Sequence, residues 1–106
     1  MRLRFTIFAA LLLCPSLGFA SRHSQRAHGA IVYNESGCSH CHTISSVGGH
    51  KGPDLTAVGR RLKKEQLRQQ IVDGSKRMPP FGDVLQHQEL DDLVAYLRSC
   101  RDKPKK

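Results

Sequence analysis

Apolar residues recur most regularly toward the C-terminal end, where Leu90, Leu93, Val94 and Leu97 fall at i, i+3, i+4 and i+7. That stripe is the buried face of an amphipathic helix, and it predicts one over about His87–Ser99. Leu67 and Ile71 mark a second helix over Lys64–Asp73, with Gly74 as its stop. Ala27, Ala30, Ile31 and Asn34 share one face at helical spacing and predict a first helix over Gln25–Asn34. A short helix from Asp54 would carry Leu55 and Val58 and end near Gly59. The segments between read as loops: residues 45–53 hold three glycines and a proline, and GSKRMPPFGD, residues 74–83, sets two prolines between glycines. No segment alternates for long enough to form a strand, and no repeat is present. The pattern predicts a single all-α domain.

The N-terminus has a different character. MRLR, then FTIFAALLL, then CPSLGFA is a charged start, a short apolar run and small residues, the pattern of a secretory signal peptide. Gly18 and Ala20 suit the positions before a cleavage site, so residues 1–20 are expected to be removed. The apolar run is shorter than the roughly 20 residues of a spanning helix, and the bulky Leu13 is wrong for lipid attachment at Cys14. The expected mature domain is then residues 21–106, with Ser21–Arg26 a frayed leader and residues 101–106 a flexible, solvated tail. Such a chain is marginal for a self-sufficient core, so an additional stabilising group is expected.

Charge narrows the partners. The chain has 17 Lys and Arg against 9 Asp and Glu, and loss of Arg2 and Arg4 with the leader leaves a net charge of about +6. A basic surface suits acidic proteins, and loose association with membrane headgroups is compatible with it. The basic residues are not interleaved with aromatics and no nucleic-acid motif is present, which together with the export signal excludes nucleic acid. Cys38, Cys41 and Cys100 remain after export, an odd number that does not make a simple disulfide framework.

Cys38 and Cys41 lie in CSHCH, where a helical turn would set two thiols on one face and His42 would follow about 100° round. C-x-x-C-H is the attachment pattern of a c-type haem: the thiols add to the two vinyl groups and the imidazole meets the iron. A zinc site would need a second, separated ligand pair drawn from scattered histidines or Cys100, and a redox thiol pair would need a βαβ context that is absent. Given a haem, Met78 is the only thioether in the mature chain and stands in a loop stiffened by Pro79 and Pro80, a natural sixth ligand. The rivals are His40, expected to point away; His87, expected to face solvent; and His50, whose loop would have to fold over the haem. His23 and His28 are expected at the surface.

These residues resemble the class I cytochromes c, the monohaem His/Met electron carriers. CSHCHT is similar to that family's attachment site, HKGPDL to the loop after it, RMPPFG to the distal-ligand loop and LDDLVAYLR to the terminal helix. The resemblance implies a small cytochrome c fold, three to five helices wrapped around one covalent haem c. It implies that Gly29 and Tyr33 lie where the first helix crosses the last, against Leu93, Tyr96 and Leu97. It also implies that the Pro53 carbonyl accepts a hydrogen bond from the His42 ring, and that Met78 binds the iron opposite His42. Two features depart from the family: the mature chain has no Trp to contact a propionate, and Cys100 has no place in the pattern and is read as a small core residue.

A haem with both axial positions filled cannot readily take a substrate, so the expected function is one-electron exchange at an exposed ring edge rather than an enzyme's turnover. An exported monomer is expected, periplasmic in a Gram-negative source. Its partners are expected to be redox proteins, an oxidase, reductase or dehydrogenase, with acidic docking faces. Lys51, Lys76 and Arg77 would border the haem, and Arg60, Arg61, Lys63 and Lys64 form a second basic run. The competing readings are a haem enzyme or gas sensor with an open iron, and a fixed subunit of a larger exported redox complex.

Overall fold

Helix α1, Leu17–Glu35, opens a computed structural model that describes residues 17–103. The expected leader lies outside the described residues as far as residue 16, as does the end of the expected tail, residues 104–106. α1 starts eight residues earlier than the periodicity predicts, and Ser21–Arg26 is helical rather than frayed. Between Gly18 and Gly29 no glycine or proline interrupts it, and Ala, Arg and Gln favour helix. The expected cleavage point after Ala20 falls inside this helix.

The buried face of α1 is also different. Ala27, Ile31 and Asn34 are exposed, Ile31 by 51%, while Gly29, Val32 and Tyr33 are buried. The reason lies in the partner helix. A Cβ on Gly29 would overlap the Asp92 carbonyl and come within 2.7 Å of the Tyr96 Cβ, so α1 meets α4, His87–Ser99, at the one residue that lets the backbones touch. A search for large apolar side chains passes over a glycine contact.

Beside Gly29 the Tyr33 and Tyr96 rings pack edge to face at 5.7 Å. On the other side His28, exposed as expected, hydrogen-bonds through Nδ1 to Oδ2 of the buried Asp92 at 2.6 Å. Gln88 donates to Oδ1 of the same carboxylate at 2.8 Å. Burial by itself raises the Asp92 pKa, but the hydrogen bonds from His28, Gln88 and Gln25 outweigh it and hold the carboxyl below its ordinary range.

α3, Lys64–Asp73, and α4 keep the predicted bounds. Each is started by a side chain three residues in: Gln66 accepts from the Lys63 backbone N–H at 2.8 Å and Glu89 from that of Gln86 at 3.0 Å, satisfying donors the helix cannot. α3 stops at Gly74, φ 65°. Leu67 and Ile71 of α3 and Leu90, Leu93, Val94 and Leu97 of α4 are buried as their spacing predicts. Arg68 and Asp91 form an ion pair between these helices.

The short helix comes late, as α2, Val58–Arg61. Asp54 is occupied instead by a turn in which Oδ1 accepts from the Thr56 backbone at 2.8 Å and its hydroxyl at 2.5 Å, a local competitor of helix. α2 docks on the end of α4: Gly59 N–H donates to the Cys100 carbonyl at 2.9 Å, and Arg101, expected in the solvated tail, donates to the Gly59 carbonyl at 2.7 Å. Cys100 is 9% exposed and belongs to the core.

The expected loop 45–53 contains a small antiparallel hairpin, β1, Thr43–Ile44, paired with β2, Val47–Gly48. Ser45 and Ser46 carry φ of 50° and 69°, both positive as a two-residue primed turn requires. Serines give none of the Asn-Gly signal that would announce such a turn. With four helices and a two-residue ladder among the described residues, the fold is mostly helical.

Candidate functional site

The turn after α1, the loop through Pro53 and the loop after α3 border one cleft of about 1450 Å³. That exceeds the roughly 300–1,000 Å³ of ordinary small-molecule sites. Its wall is apolar: Val58 from α2, Leu67 and Ile71 from α3, Leu93 and Leu97 from α4. These five core side chains thus also line the cavity.

Gly37, at φ 77°, turns the chain out of α1 into a single 3₁₀ turn, Cys38–His40. The backbone N–H groups of Cys41 and His42 both donate to the Cys38 carbonyl, at 3.2 and 3.0 Å. Residues i and i+3 eclipse in such a turn, so it sets the Cys38 and Cys41 side chains together. Both are half-buried, free thiols lining the cleft. Burial pushes the Cys38 thiol up against an opposing backbone hydrogen bond, the reverse of the depressed thiol of a redox Cys-x-x-Cys pair. Among the described residues no three His, Cys, Asp or Glu side chains converge to hold a metal ion, so the second ligand pair of a structural zinc site has no counterpart there.

His42 follows with its ring fixed on two sides. Nδ1 lies 2.8 Å from the Pro53 carbonyl. A carbonyl only accepts, so the proton is on Nδ1 and the Nε2 lone pair is free. A Cβ on Gly52 would fall 2.6 Å from Cε1 and 2.8 Å from Nδ1, so a larger residue there would push the imidazole aside. The Tyr33 hydroxyl donates to the His42 carbonyl at 3.4 Å; burial first, then nearby charge, pushes this phenol up, so it stays a donor. Gly52 N–H donates to the Cys41 carbonyl at 2.7 Å and joins the two segments.

Met78 lines the same cleft, half-buried and packed on the core. Its loop is tied to the end of α3: Ser75 N–H donates to the Met78 carbonyl at 2.8 Å, Phe81 N–H to Ile71 at 2.9 Å and Gly82 N–H to Val72 at 3.2 Å. Two prolines thus sit in a loop that Ser75 and Met78 close on itself and that the Phe81 and Gly82 amides anchor to the helix before it. Of the rival histidines, His50 borders the cleft with Nδ1 3.4 Å from the Thr43 hydroxyl, which itself donates to the Gly49 carbonyl at 2.7 Å. His40 and His23 are exposed, and the His87 side chain is 81% exposed beside Asp91.

Exposed Lys51, Lys76 and Arg77 border the cleft together with Arg61. Arg60, Lys63 and Lys64 of the second basic run are exposed and do not line it. Gly52 and Gln70 are cleft residues that sequence reasoning missed, and Arg61, assigned to the second basic run, lines the cleft instead. Gly52 precedes the singled-out Pro53 and was within reach of the motif; Gln70 carries no signal, because an isolated polar residue on a helix reads as a solvated face. In chemical terms the cleft offers a free imidazole nitrogen, a thioether and two thiols, soft and borderline donors for a transition metal, in apolar surroundings.

A family model described as cytochrome c oxidase, cbb3-type, subunit III matches residues 24–97. Cytochrome c-555 of Methylococcus capsulatus is 29% identical over 104 residues, 94% of this chain and 85% of that protein. The menaquinol:cytochrome c reductase cytochrome c subunit of Bacillus subtilis is 31% identical over 77 residues, 73% of this chain and 29% of that longer protein. Among solved structures, the c-type cytochrome SorU from Sinorhizobium meliloti superimposes with a TM-score of 0.65 at 22% identity, covering 79% of this chain and 99% of that one.

Proposed function

Since this chain belongs to the class I c-type cytochrome family, whose members are haem-binding electron carriers, we propose that it is an exported monohaem carrier that exchanges single electrons with redox partners. The observation that carries the reading is one cleft lined by Cys38, Cys41, His42 and Met78. Cys38 and Cys41 would hold the haem as thioethers, His42 Nε2 and Met78 Sδ would bind its iron, and the Pro53 carbonyl would fix the His42 tautomer. When bound, that haem supplies a reversible one-electron couple. The protein's part is positional and electrostatic. The Pro53 carbonyl holds the imidazole in its ligating form, Gly52 leaves room for the ring, and the apolar wall excludes water. A neutral thioether and a dry site both favour the reduced state.

With both iron ligands supplied by the protein, electrons would pass through a haem edge at the mouth of the cleft. Lys51, Arg61, Lys76 and Arg77 would surround that edge and orient an acidic partner face by long-range attraction, weakened by salt. The domain is residues 21–106 after loss of a leader, and it acts as a monomer in an exported compartment, periplasmic in a Gram-negative cell. Among the described residues no helix is long and apolar enough to cross a membrane. The Bacillus relative, matched over 29% of its length, suggests a second setting, in which the same domain is one part of a larger redox assembly.

The test is an absorption spectrum of the protein made with a haem-attachment system, in both oxidation states, with a pyridine haemochrome on the denatured sample. Two thioether bonds together with a weak far-red sulfur-to-iron band are expected. Covalent haem lacking that band would move the sixth ligand to His50 or leave the site open, and the carrier reading would give way to sensing or catalysis. Absence of haem would return Cys38 and Cys41 to thiol or zinc chemistry.

A further inference from the structure

Loss of residues 1–20 would leave a chain that begins Ser21-Arg22-His23, with an imidazole on its third residue. That spacing supplies the α-amine of Ser21, the backbone nitrogens of Arg22 and His23, and the His23 ring nitrogen nearer the backbone. Each is joined to the next by few enough atoms to close a small chelate ring on a metal. The structure leaves this segment accessible: Ser21, Arg22, His23 and Ser24 are exposed, and the first buried residue of α1 among the described ones is Gly29. In the uncut helix, Leu17–Glu35, the amides of Arg22 and His23 donate to carbonyls one turn earlier, at Gly18 and Phe19. Those carbonyls depart with the leader, and the two amides become orphan donors of the new helix end. α1 is held to α4 from Gln25 onward, where Gln25 and His28 bond to Asp92. Residues 21–23 can therefore leave the helix without opening the core.

We propose that Ser21, Arg22 and His23 of the mature chain form a site for a square-planar divalent ion, Cu(II) or Ni(II), separate from the haem cleft. The inference rests on removal of the leader after Ala20. Binding exchanges protons for metal: the α-ammonium and each of the two amides give up one proton, and the two amidate charges offset those of the ion. The nitrogens then lie in one plane with His23 Nδ1 as the last donor, a set that suits Cu(II) or Ni(II) and not the tetrahedral preference of zinc. His28 is the rival imidazole. Its Nδ1 is committed to Asp92 at 2.6 Å, and the polar pocket around it is lined by Ser21, Ser24, Gln25, Gln88 and Asp92, whose side-chain oxygens suit a harder ion. The proposed site stands roughly 20 Å along α1 from the turn that carries Cys38.

The experiment uses exported, untagged holoprotein, whose intact mass and first residues are read before equimolar Cu(II) sulfate is added to the ferric form. Electron paramagnetic resonance, in which the copper signal is separate from that of the low-spin haem, is expected to show splitting by four nitrogens. Proton release of about three per ion at neutral pH should accompany it; a site made of one imidazole and a carboxylate would show one nitrogen and release at most about one proton. Arg22→Pro, which removes an amide proton, and His23→Ala should each abolish the four-nitrogen signal, as should one extra residue ahead of Ser21. Ser21→Ala and His28→Gln should keep it, and an unchanged haem spectrum shows that each variant is folded. A chain that begins at Ser21 and gives no four-nitrogen signal overturns the metal site and leaves the carrier reading in place. A chain that begins elsewhere overturns the leader boundary, and the site with it. Copper lost in His28→Gln but retained in His23→Ala overturns the proposal by placing the ion in the His28–Asp92 pocket.

Discussion

The α1–α4 crossing and the cleft are built from the two sides of the same helix and are finished in different ways. At the crossing, backbone touches backbone at Gly29, Tyr33 packs on Tyr96, and the buried Asp92 is bonded by His28 and Gln88. Protein alone closes it. On the cleft side, Leu93 and Leu97 of α4 face a cavity of about 1450 Å³ with Val58, Leu67 and Ile71, and the polar groups nearby hold donor atoms ready rather than close a surface. The difference teaches that one face of α4 is finished by protein and the other is left open to a guest.

Removing the guest should have the largest effect. An unfilled cleft of this size leaves its apolar wall without packing partners on one side, in a domain whose whole stability is expected to be about 5–15 kcal/mol. Haem-free protein carrying Cys38→Ser and Cys41→Ser is therefore expected to lose most of its far-ultraviolet helical signal. A native-like helical spectrum would show that the crossing stands without the cleft. Next in size is Gly29→Val in the haem-bound protein. Its branched side chain would meet the Asp92 carbonyl and Tyr96 Cβ, overpacking that costs about 3 kcal/mol or more, read as a fall in the urea midpoint. A midpoint within error of wild type would mean that the crossing is held elsewhere.

The same contrast explains what the sequence disclosed. α3 and α4 were legible to their ends because large apolar residues repeat and Gln66 and Glu89 stand where a cap is needed. The turn that brings Cys38, Cys41 and His42 to the cleft was legible because C-x-x-C-H is a short motif of fixed spacing. The face of α1 was misread from periodicity, since its decisive residue is a glycine, and only the resemblance pointed to Gly29 and Tyr33. The Ser45–Ser46 turn had no residue that signals positive φ. His28 and Asp92 are 64 positions apart in the chain, and Gln70 meets Met78 only because a loop doubles back on its helix. These contacts are products of tertiary structure, and no local pattern encodes them.

The smallest predicted effect separates the two regions by acid. Asp92 at the crossing is held below the ordinary carboxylate range, because hydrogen bonds from His28, Gln88 and Gln25 outweigh a burial that would raise it. Asp54, beside the cleft loop, is lowered by the hydroxyl and backbone N–H of Thr56. A depressed carboxylate contributes stability that is fully present above its unfolded pKa of about 3.9 and is lost as pH falls through the lower folded value. The protein should therefore lose stability below about pH 4 by these groups. Asp92→Asn, which keeps the shape but not the charge, is expected to cost about 1 kcal/mol at neutral pH and to make the acid limb shallower in urea titrations at a series of pH values. Asp54→Asn should also flatten that limb, while leaving the His28 contact intact. An acid limb in Asp92→Asn identical to wild type would assign acid sensitivity to the cleft loop and leave the crossing indifferent to protons.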